Sequence, residues 1–467
     1  MNHFFKVKTL KEVISLVSEF QSLDVETVDI LEAYSRVLAK DIYSDQDIPG
    51  FKRATMDGYA VSSASTFGAS ESNPAWLEII GSIAIGDVPD FSMESGQAAK
   101  ISTGGMLPKG ADSVVMVEHT EAIGGGDGAS QATADKTAAS YNPTVEIYKS
   151  VAPLQNVIES DEDFQTGQKV LEIGTVIRPQ EVGLAAALGI CRLPVYKIPK
   201  VGIISTGDEI VPIEQTPPFG KIRDINSYTL AGLIIESGAK PVLYGIVKDN
   251  EESLYKTCSK AVAETDMVII SGGSSVGTRD FTVNVLSSLK DTEILVHGIS
   301  ISPGKPTILA KSGSTHAKPI WGLPGHVVSA MVVFKVVVAP FLNKIRGLAD
   351  SVYDIDSENK EAASRTSASL ENIKIPAVLA RNVASAQGRT DFIRVKLVRK
   401  FDLNSKDRNA ENSSSKDKNE LFAEPIIGKS GLIRTMIMAD GLLEIGENVE
   451  GLEKGEMVDV IPLRAFS

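Results

Sequence analysis

Three glycine-bearing segments each follow an apolar run: Thr206-Gly207-Asp208-Glu209 after VGIIS, Gly272-Gly273-Ser274-Ser275-Val276-Gly277 after DMVIIS, and Pro324-Gly325-His326 after PIWGL. Glycine lets a backbone approach a phosphate closely, and a following helix N-terminus offers unbonded N–H donors. A fourth segment, Ser302-Pro303-Gly304-Lys305-Pro306, reads as a rigid turn presenting one cation. The loop from Gly272 to Gly277 has neither the Gly-Lys-Ser/Thr of a P-loop nor the spacing of a dinucleotide fingerprint. By itself it reads equally well as a tight strand-to-helix turn. Asp208, Glu209 and Asp280 shift that balance, because carboxylates beside phosphate-binding backbone imply a divalent cation. The expected ion is Mg²⁺, held by Glu209, Asp280 and Asp208 in some combination and completed by substrate oxygens. Each acid taken singly reads as a helix cap or a surface charge.

His326 is either a ligand hydrogen-bonding group or a turn residue. The five histidines show no paired zinc spacing, so a zinc site is not supported. Thr55-Met56-Asp57-Gly58-Tyr59 reads as an Asp-Gly hairpin, and Ser102-Thr103-Gly104-Gly105 as a second glycine turn.

The elements that must hold these loops are legible by period. VGIIS, KPVLYGIV, DMVIIS and PIWGL read as buried strands, and DNEESLYKTCSKAVAE as a helix with Leu254, Cys258, Ala261 and Val262 on one face. A further helix carries Leu230, Leu233 and Ile234, follows Ser227 and stops at Gly238. Strands alternating with helices predict a parallel sheet with right-handed crossovers, whose ligands bind beyond the carboxyl ends of the strands. The first 44 or so residues read as helical, with Leu10, Val13, Ile14 and Val17 at amphipathic spacing. Short β-like runs (76–80, 113–117) follow in a turn-rich region, and β-like runs return after Arg346 in IPAVLARNV, DFIRVKLV and GEMVDVIPL. The stretches 124–140 and 404–419 are polar or small-residue inserts with no expected function.

Composition bounds the class. A length of 467 residues implies about three domains, and 43% hydrophobic with 23% charged residues is ordinary for a soluble globular protein. A net charge of −13 argues against nucleic-acid binding and gives no encouragement to docking on anionic membranes. Cys191 and Cys258, each in an apolar patterned segment, read as core residues, so a reducing compartment is expected. The start shows no signal-peptide pattern. The most apolar run, 327–342, reads as a buried helix because Lys335 interrupts it and Pro340 lies near its end. The expected location is the cytoplasm. Residue types and spacing carry the reading to a multidomain protein whose α/β domain binds a phosphorylated ligand with Mg²⁺.

Several segments together resemble the molybdopterin molybdenumtransferases, the MoeA-like family that includes the E domain of gephyrin. The matching pieces are ATMDGYAV (54–61), ISTGGMLPKGADSVVMVEHT (101–120), EDFQTGQKVLEIGT (162–175), STGDEIV (205–211), RDINSYTLAGLI (223–234), SGGSSVGTRD (271–280), PGKPT (303–307) and GLPGHVVSAMVVF (322–334). The resemblance implies an elongated multidomain α+β and α/β protein. Its N-terminal domain would be discontinuous (1–44 plus 152–198), with a β-rich domain inserted at 45–151. An α/β domain similar to molybdopterin adenylyltransferase would span 199–346 and a C-terminal β-barrel 347–467. It implies a homodimer whose active site lies between subunits, adenylylated molybdopterin and molybdate (or tungstate) as substrates, and molybdenum cofactor and AMP as products. A molybdopterin adenylyltransferase is an implied partner.

Carried over motif by motif, Asp57, Asp163, Glu209, Asp249 and Asp280 are the functional carboxylates, with Asp208 a further metal candidate. Thr103 would contact substrate across the dimer interface. Gly272, Gly273 and Ser274, with Ser275, would cradle the nucleotide phosphates. Lys305 would offset oxyanion charge, and Pro324, Gly325 and His326 would border the substrate. Three departures stand out: Ser302 where the family often has lysine, Val327 in place of a proline, and Glu159-Ser160-Asp161 where basic residues are common. Two alternatives follow: a non-enzymatic cofactor carrier or scaffold, and an ATP-dependent molybdopterin adenylyltransferase.

Overall fold

The computed structural model describes residues 7–123, 143–272, 278–348, 374–399 and 420–463, so both polar inserts, 124–140 and 404–419, lie outside the described residues. Contacts divide the chain into two compact units, Asp41–Leu171 and the remainder.

In the unit Asp41–Leu171 a six-stranded sheet runs in the order Ser113–Met116, Gly58–Val61, Gln97–Ile101, Ala75–Ile83, Thr144–Ile147, Thr120–Ile123. Successive side chains alternate between its faces. Ala60, Ala99, Ile101 and Val114 therefore enter one small core, while Tyr59, Val61, Ala98 and Val115 enter another. The Asp-Gly hairpin expected at 57–58 does not form. Gly58 opens a strand that pairs with Gln97–Ile101 and Ser113–Met116, both distant in sequence. A Cβ at Gly58 would lie 1.8 Å from the Val115 carbonyl oxygen, so the glycine serves close strand approach and not a tight turn.

The larger unit contains the expected α/β domain. Lys240–Val247, Lys200–Thr206, Met267–Gly272 and Lys318–Leu323 lie side by side and parallel. Helices cover both faces, which is why these strands read as nearly unbroken apolar runs. On one face Ile203, Ile269 and Trp321 pack with Leu230, Ile234 and the helical run from Val327; on the other Ile204, Ile270 and Ile320 pack with Leu254, Cys258 and Leu286. The sheet is mixed, contrary to the all-parallel expectation. Thr292–His297, Ile308–Ser312 and Lys318–Leu323 form an antiparallel meander. Their connections are shorter than the dozen or so residues of a parallel crossover.

Local corrections have identifiable causes. The helix Asn226–Glu236 encloses Ser227, whose N–H bonds the Asp224 carboxylate at 3.1 Å, so Asp224 supplies the cap. The N-terminal segment is α-helical over Leu10–Ser15, opened by a Thr9/Glu12 capping box, tightens to a 3-10 turn over Leu16–Glu19, and is extended at Val25–Asp29. Phe20 from this segment meets Phe341 edge-on at 5.4 Å, and Phe341 meets Trp321 at 4.9 Å. The run Val327–Ile345 is long and apolar enough to cross a membrane, yet 72% of that window is buried within the protein. Its middle, Phe334–Val338, widens to a π turn in which the Ala339 N–H bonds the Phe334 carbonyl. The next residue, Pro340, has no N–H to continue the α ladder. Cys258 is buried, which pushes its thiol up to about 12. Cys191 is exposed, because it follows the helix end at Leu188 instead of lying on a packed face.

C-terminally, Ile375–Leu379, Thr390–Arg399, Leu421–Pro425, Gly441–Ile445 and Met457–Pro462 close into a β-barrel around Leu379, Val395, Leu443 and Val460. Ile301–Ser302 adds in parallel to Thr390–Asp391, fastening the Pro-Gly-Lys turn of the α/β domain to the barrel wall.

Candidate active site

Parallel register brings four strand ends to one edge. Thr206 pairs with Val247 on one side and Gly272 on the other, and Ser271 pairs with Leu323. Asp208-Glu209, Asp249, Gly272 and Pro324-Gly325-His326 therefore emerge together, although up to 118 positions separate them in the chain (326 − 208 = 118). The Asp249 N–H approaches Asp208 Oδ1 at 3.4 Å. Burial raises the Asp249 carboxyl above its ordinary value, and the nearby Asp208 and Glu209 charges push the same way. Asn226 ties a strand end to a loop at this edge, its buried amide donating to Ser271 Oγ at 2.8 Å and to the Gly325 carbonyl at 2.9 Å. Sequence reading missed Asn226, since a helix-start asparagine looks like an ordinary cap. Gly272 sits at φ +136°, where an added Cβ would fall 2.0 Å from the Thr206 carbonyl oxygen.

Gly273, Ser274 and Ser275 lie outside the described residues. Asp280 belongs to the first turn of the helix Thr278–Ser288 and not to a loop. Among the described residues no group of three or more His, Cys, Asp or Glu side chains forms a ready metal cage.

Between the α/β domain and the barrel lies a cleft of about 960 Å³ bordered by Lys305, Pro324, His326, Arg389, Arg394 and Ser430. His326 occupies the N-cap of Val327–Val333, and its Nδ1 lies 2.9 Å from Ser430 Oγ. Arg389 is held by Asp391, with Nε 2.9 Å from Oδ1. Arg394 is 8% exposed; Nη2 donates to the Gly428 carbonyl at 2.8 Å, while its Nε–H has no partner. Burial lowers the Arg394 pKa, since desolvation disfavours the charged form. A buried guanidinium without a carboxylate is costly unless an anion compensates it. Arg389, Arg394 and Ser430 went unrecognised in the sequence. The available signal was strand alternation: Thr390, Phe392 and Arg394 share a face, and a cation on a face with a buried Phe is out of place.

In the unit Asp41–Leu171, one Asp57 oxygen, Oδ1, accepts the Thr103 N–H at 2.7 Å and the Thr103 hydroxyl at 3.0 Å. These bonds, the N–H first, hold the Asp57 carboxyl below its ordinary value. Asp163 is exposed on the same unit, where its N–H bonds the Ile48 carbonyl at 2.9 Å.

The MoeA N-terminal region (domain I and II) matches residues 8–189, a probable molybdopterin binding domain matches 202–344, and the MoeA C-terminal region (domain IV) matches 376–463. A Nostoc molybdopterin molybdenumtransferase is 36% identical over 73% of this chain and 74% of its own length. The Bacillus subtilis protein of the same name is 31% identical over 71% and 73%. A solved molybdopterin biosynthesis MoeA protein from Pyrococcus horikoshii covers 99% of this chain and 100% of its own at 34% identity, with a TM-score of 0.71. With all three regions matched in order over an α/β domain and a closed barrel, this chain belongs to the MoeA family of molybdopterin molybdenumtransferases.

Proposed function

We propose that the protein inserts molybdate into adenylylated molybdopterin and releases AMP, acting with Mg²⁺ as a cytoplasmic homodimer. The observation that carries this reading is one sheet edge that opens on two unlike environments: the strand ends at Asp208, Glu209 and Asp249, and, past Pro324 and His326, the cationic cleft of Lys305 and Arg394. One suits a metal-bridged pyrophosphate and the other a tetrahedral oxyanion.

Breaking a phosphoanhydride calls mainly for charge neutralisation and positioning. Mg²⁺ bound between Glu209, Asp208, Asp280 and the substrate phosphates would polarise the bond that breaks. Gly272, Gly273, Ser274 and Ser275 offer backbone and hydroxyl donors to the nucleotide phosphates, and Asp249 sets the charge of the rim. Lys305 and Arg394 receive molybdate, with His326 held by Ser430 at the cleft mouth. Asp57, oriented by Thr103, and Asp163 act on the substrate from the partner subunit. A molybdopterin adenylyltransferase would supply the activated pterin. The carrier reading and the ATP-dependent reading gain nothing from the relatives, which are named for molybdenum transfer.

The test is AMP release by purified protein given adenylylated molybdopterin, molybdate and Mg²⁺. Release that depends on molybdate and fails in Glu209→Gln supports the reading. Normal substrate binding with no release by the wild-type protein sinks it.

A further inference from the structure

The amino ends of the same parallel strands carry a second cleft, of about 790 Å³, wholly within the larger unit. It lies about 20 Å from the acidic edge, the length of the strand Lys200–Thr206. Five cations line it, Arg36, Lys197, Lys200, Lys240 and Arg346; Arg36 is paired with the one lining carboxylate, Glu26, and Lys197 with Asp24 at 2.9 Å, which leaves Lys200, Lys240 and Arg346 to face the cleft. Lys200 and Lys240 are direct partners in the parallel register, so two like charges stand abreast at the sheet edge. Such a pair is unfavourable unless an anion relieves it. Both are exposed, and no carboxylate pairs with Lys240 among the described residues.

The remaining cations are held in place. Arg346 donates to the Ser237 carbonyl at 2.7 Å and its guanidinium covers Gly238. Arg36 is 8% exposed, bonds Glu26 and the Tyr196 carbonyl, and keeps an Nε–H with no partner. Beside them the walls are apolar: Tyr34 and Ile235 are 56% and 63% exposed, and Ile198 also lines the cleft. An exposed tyrosine beside clustered ammonium groups suits a planar ring bearing a phosphate. The volume falls in the range of small-molecule sites, while a net charge of −13 disfavours a nucleic-acid strand.

We propose that this cleft is a binding site for a nucleotide-class ligand, its phosphate between Lys200, Lys240 and Arg346 and its ring against Tyr34. It goes beyond the insertion reaction and uses none of the residues assigned to it.

Calorimetry on the full-length protein tests this with AMP, adenosine and inorganic phosphate as probes, at low and at raised salt. The expected result is an AMP site whose affinity falls about tenfold in Lys240→Glu and with added salt, as for a charge at a binding rim. Tyr34→Ala should lower AMP affinity and leave phosphate binding unchanged. Both variants should release AMP from adenylylated molybdopterin at the wild-type rate, so this inference and the insertion reading fail separately. AMP isotherms identical in wild type and Lys240→Glu overturn the site, and phosphate binding as tightly as AMP overturns the nucleotide class. Should Lys240→Glu unfold, Lys240→Gln serves in its place, with a smaller loss expected and an unchanged isotherm again decisive against the site.

Discussion

Thr103 donates its backbone N–H and its hydroxyl to the same oxygen of Asp57, leaving Oδ2 without a partner among the described residues. A carboxylate fixed through one oxygen and open at the other is oriented for a second task. Its folded pKa is depressed, so it is ionised throughout the neutral range. The stabilisation from these bonds is present above the ordinary carboxyl value and is lost as pH falls through the depressed one. Asp57→Asn should reduce AMP release about 100-fold, the scale of one lost electrostatic contact in a transition state, with an unchanged melting temperature at neutral pH. Thr103→Val keeps the N–H and removes the hydroxyl. It should move any acid limb governed by Asp57 upward in pH, and a limb that stays in place would detach Asp57 from the rate.

Asp249 has the opposite sign. Burial and the neighbouring Asp208 and Glu209 raise its folded pKa, so its contribution to stability is full below the unfolded value and is lost as pH rises through the folded one. Metal-free Asp249→Asn should therefore melt higher than wild type at neutral pH, by only about 1–2 °C because solvent screens a partly exposed carboxyl. Added Mg²⁺ should raise the wild-type melting temperature and raise that of the variant less. Equal Mg²⁺ responses in calorimetry would remove Asp249 from the cation's surroundings.

Much of the fold was readable because its signals are local. The runs VGIIS, DMVIIS and PIWGL are buried on both faces, and Leu254, Cys258 and Ala261 keep helical spacing, so their packing follows from period alone. The acidic edge was readable one step further on, since parallel strands must end together. The barrel half of the cationic cleft was not. Arg394 comes to the cleft beside Lys305 only when Ile301–Ser302 pairs with Thr390–Asp391, and the His326–Ser430 contact joins positions 104 apart. Asp57-Gly58 misled for the converse reason: its local pattern is that of a hairpin, while long-range pairing of Gly58 with Met116 decides the outcome.

Gly272 separates a packing role from a ligand role. Its φ of +136° and the 2.0 Å approach of an added Cβ to the Thr206 carbonyl account for the glycine without any phosphate. Gly272→Ala should cost about 1–3 kcal/mol in chemical denaturation through backbone strain. If stability is unchanged and only nucleotide affinity falls, the residue is needed for ligand approach instead.

The cationic cleft yields the sharpest separation of substrates. Lys305 is exposed at its turn, whereas Arg394 is buried with an unbonded Nε–H and loses charge stabilisation by desolvation. If the cleft takes the oxyanion as proposed, the buried guanidinium is preset and the exposed lysine is not, so the two substitutions should differ. Lys305→Ala should raise the molybdate KM about tenfold at low salt and less at high salt, because an exposed charge is screened. Arg394→Lys keeps the charge but not the planar donor fork, and should raise the molybdate KM by a comparable factor with little salt dependence. Neither should change the affinity for adenylylated molybdopterin measured without molybdate. If both variants instead lose pterin affinity and keep molybdate KM, the cleft belongs to the pterin and the oxyanion must bind elsewhere.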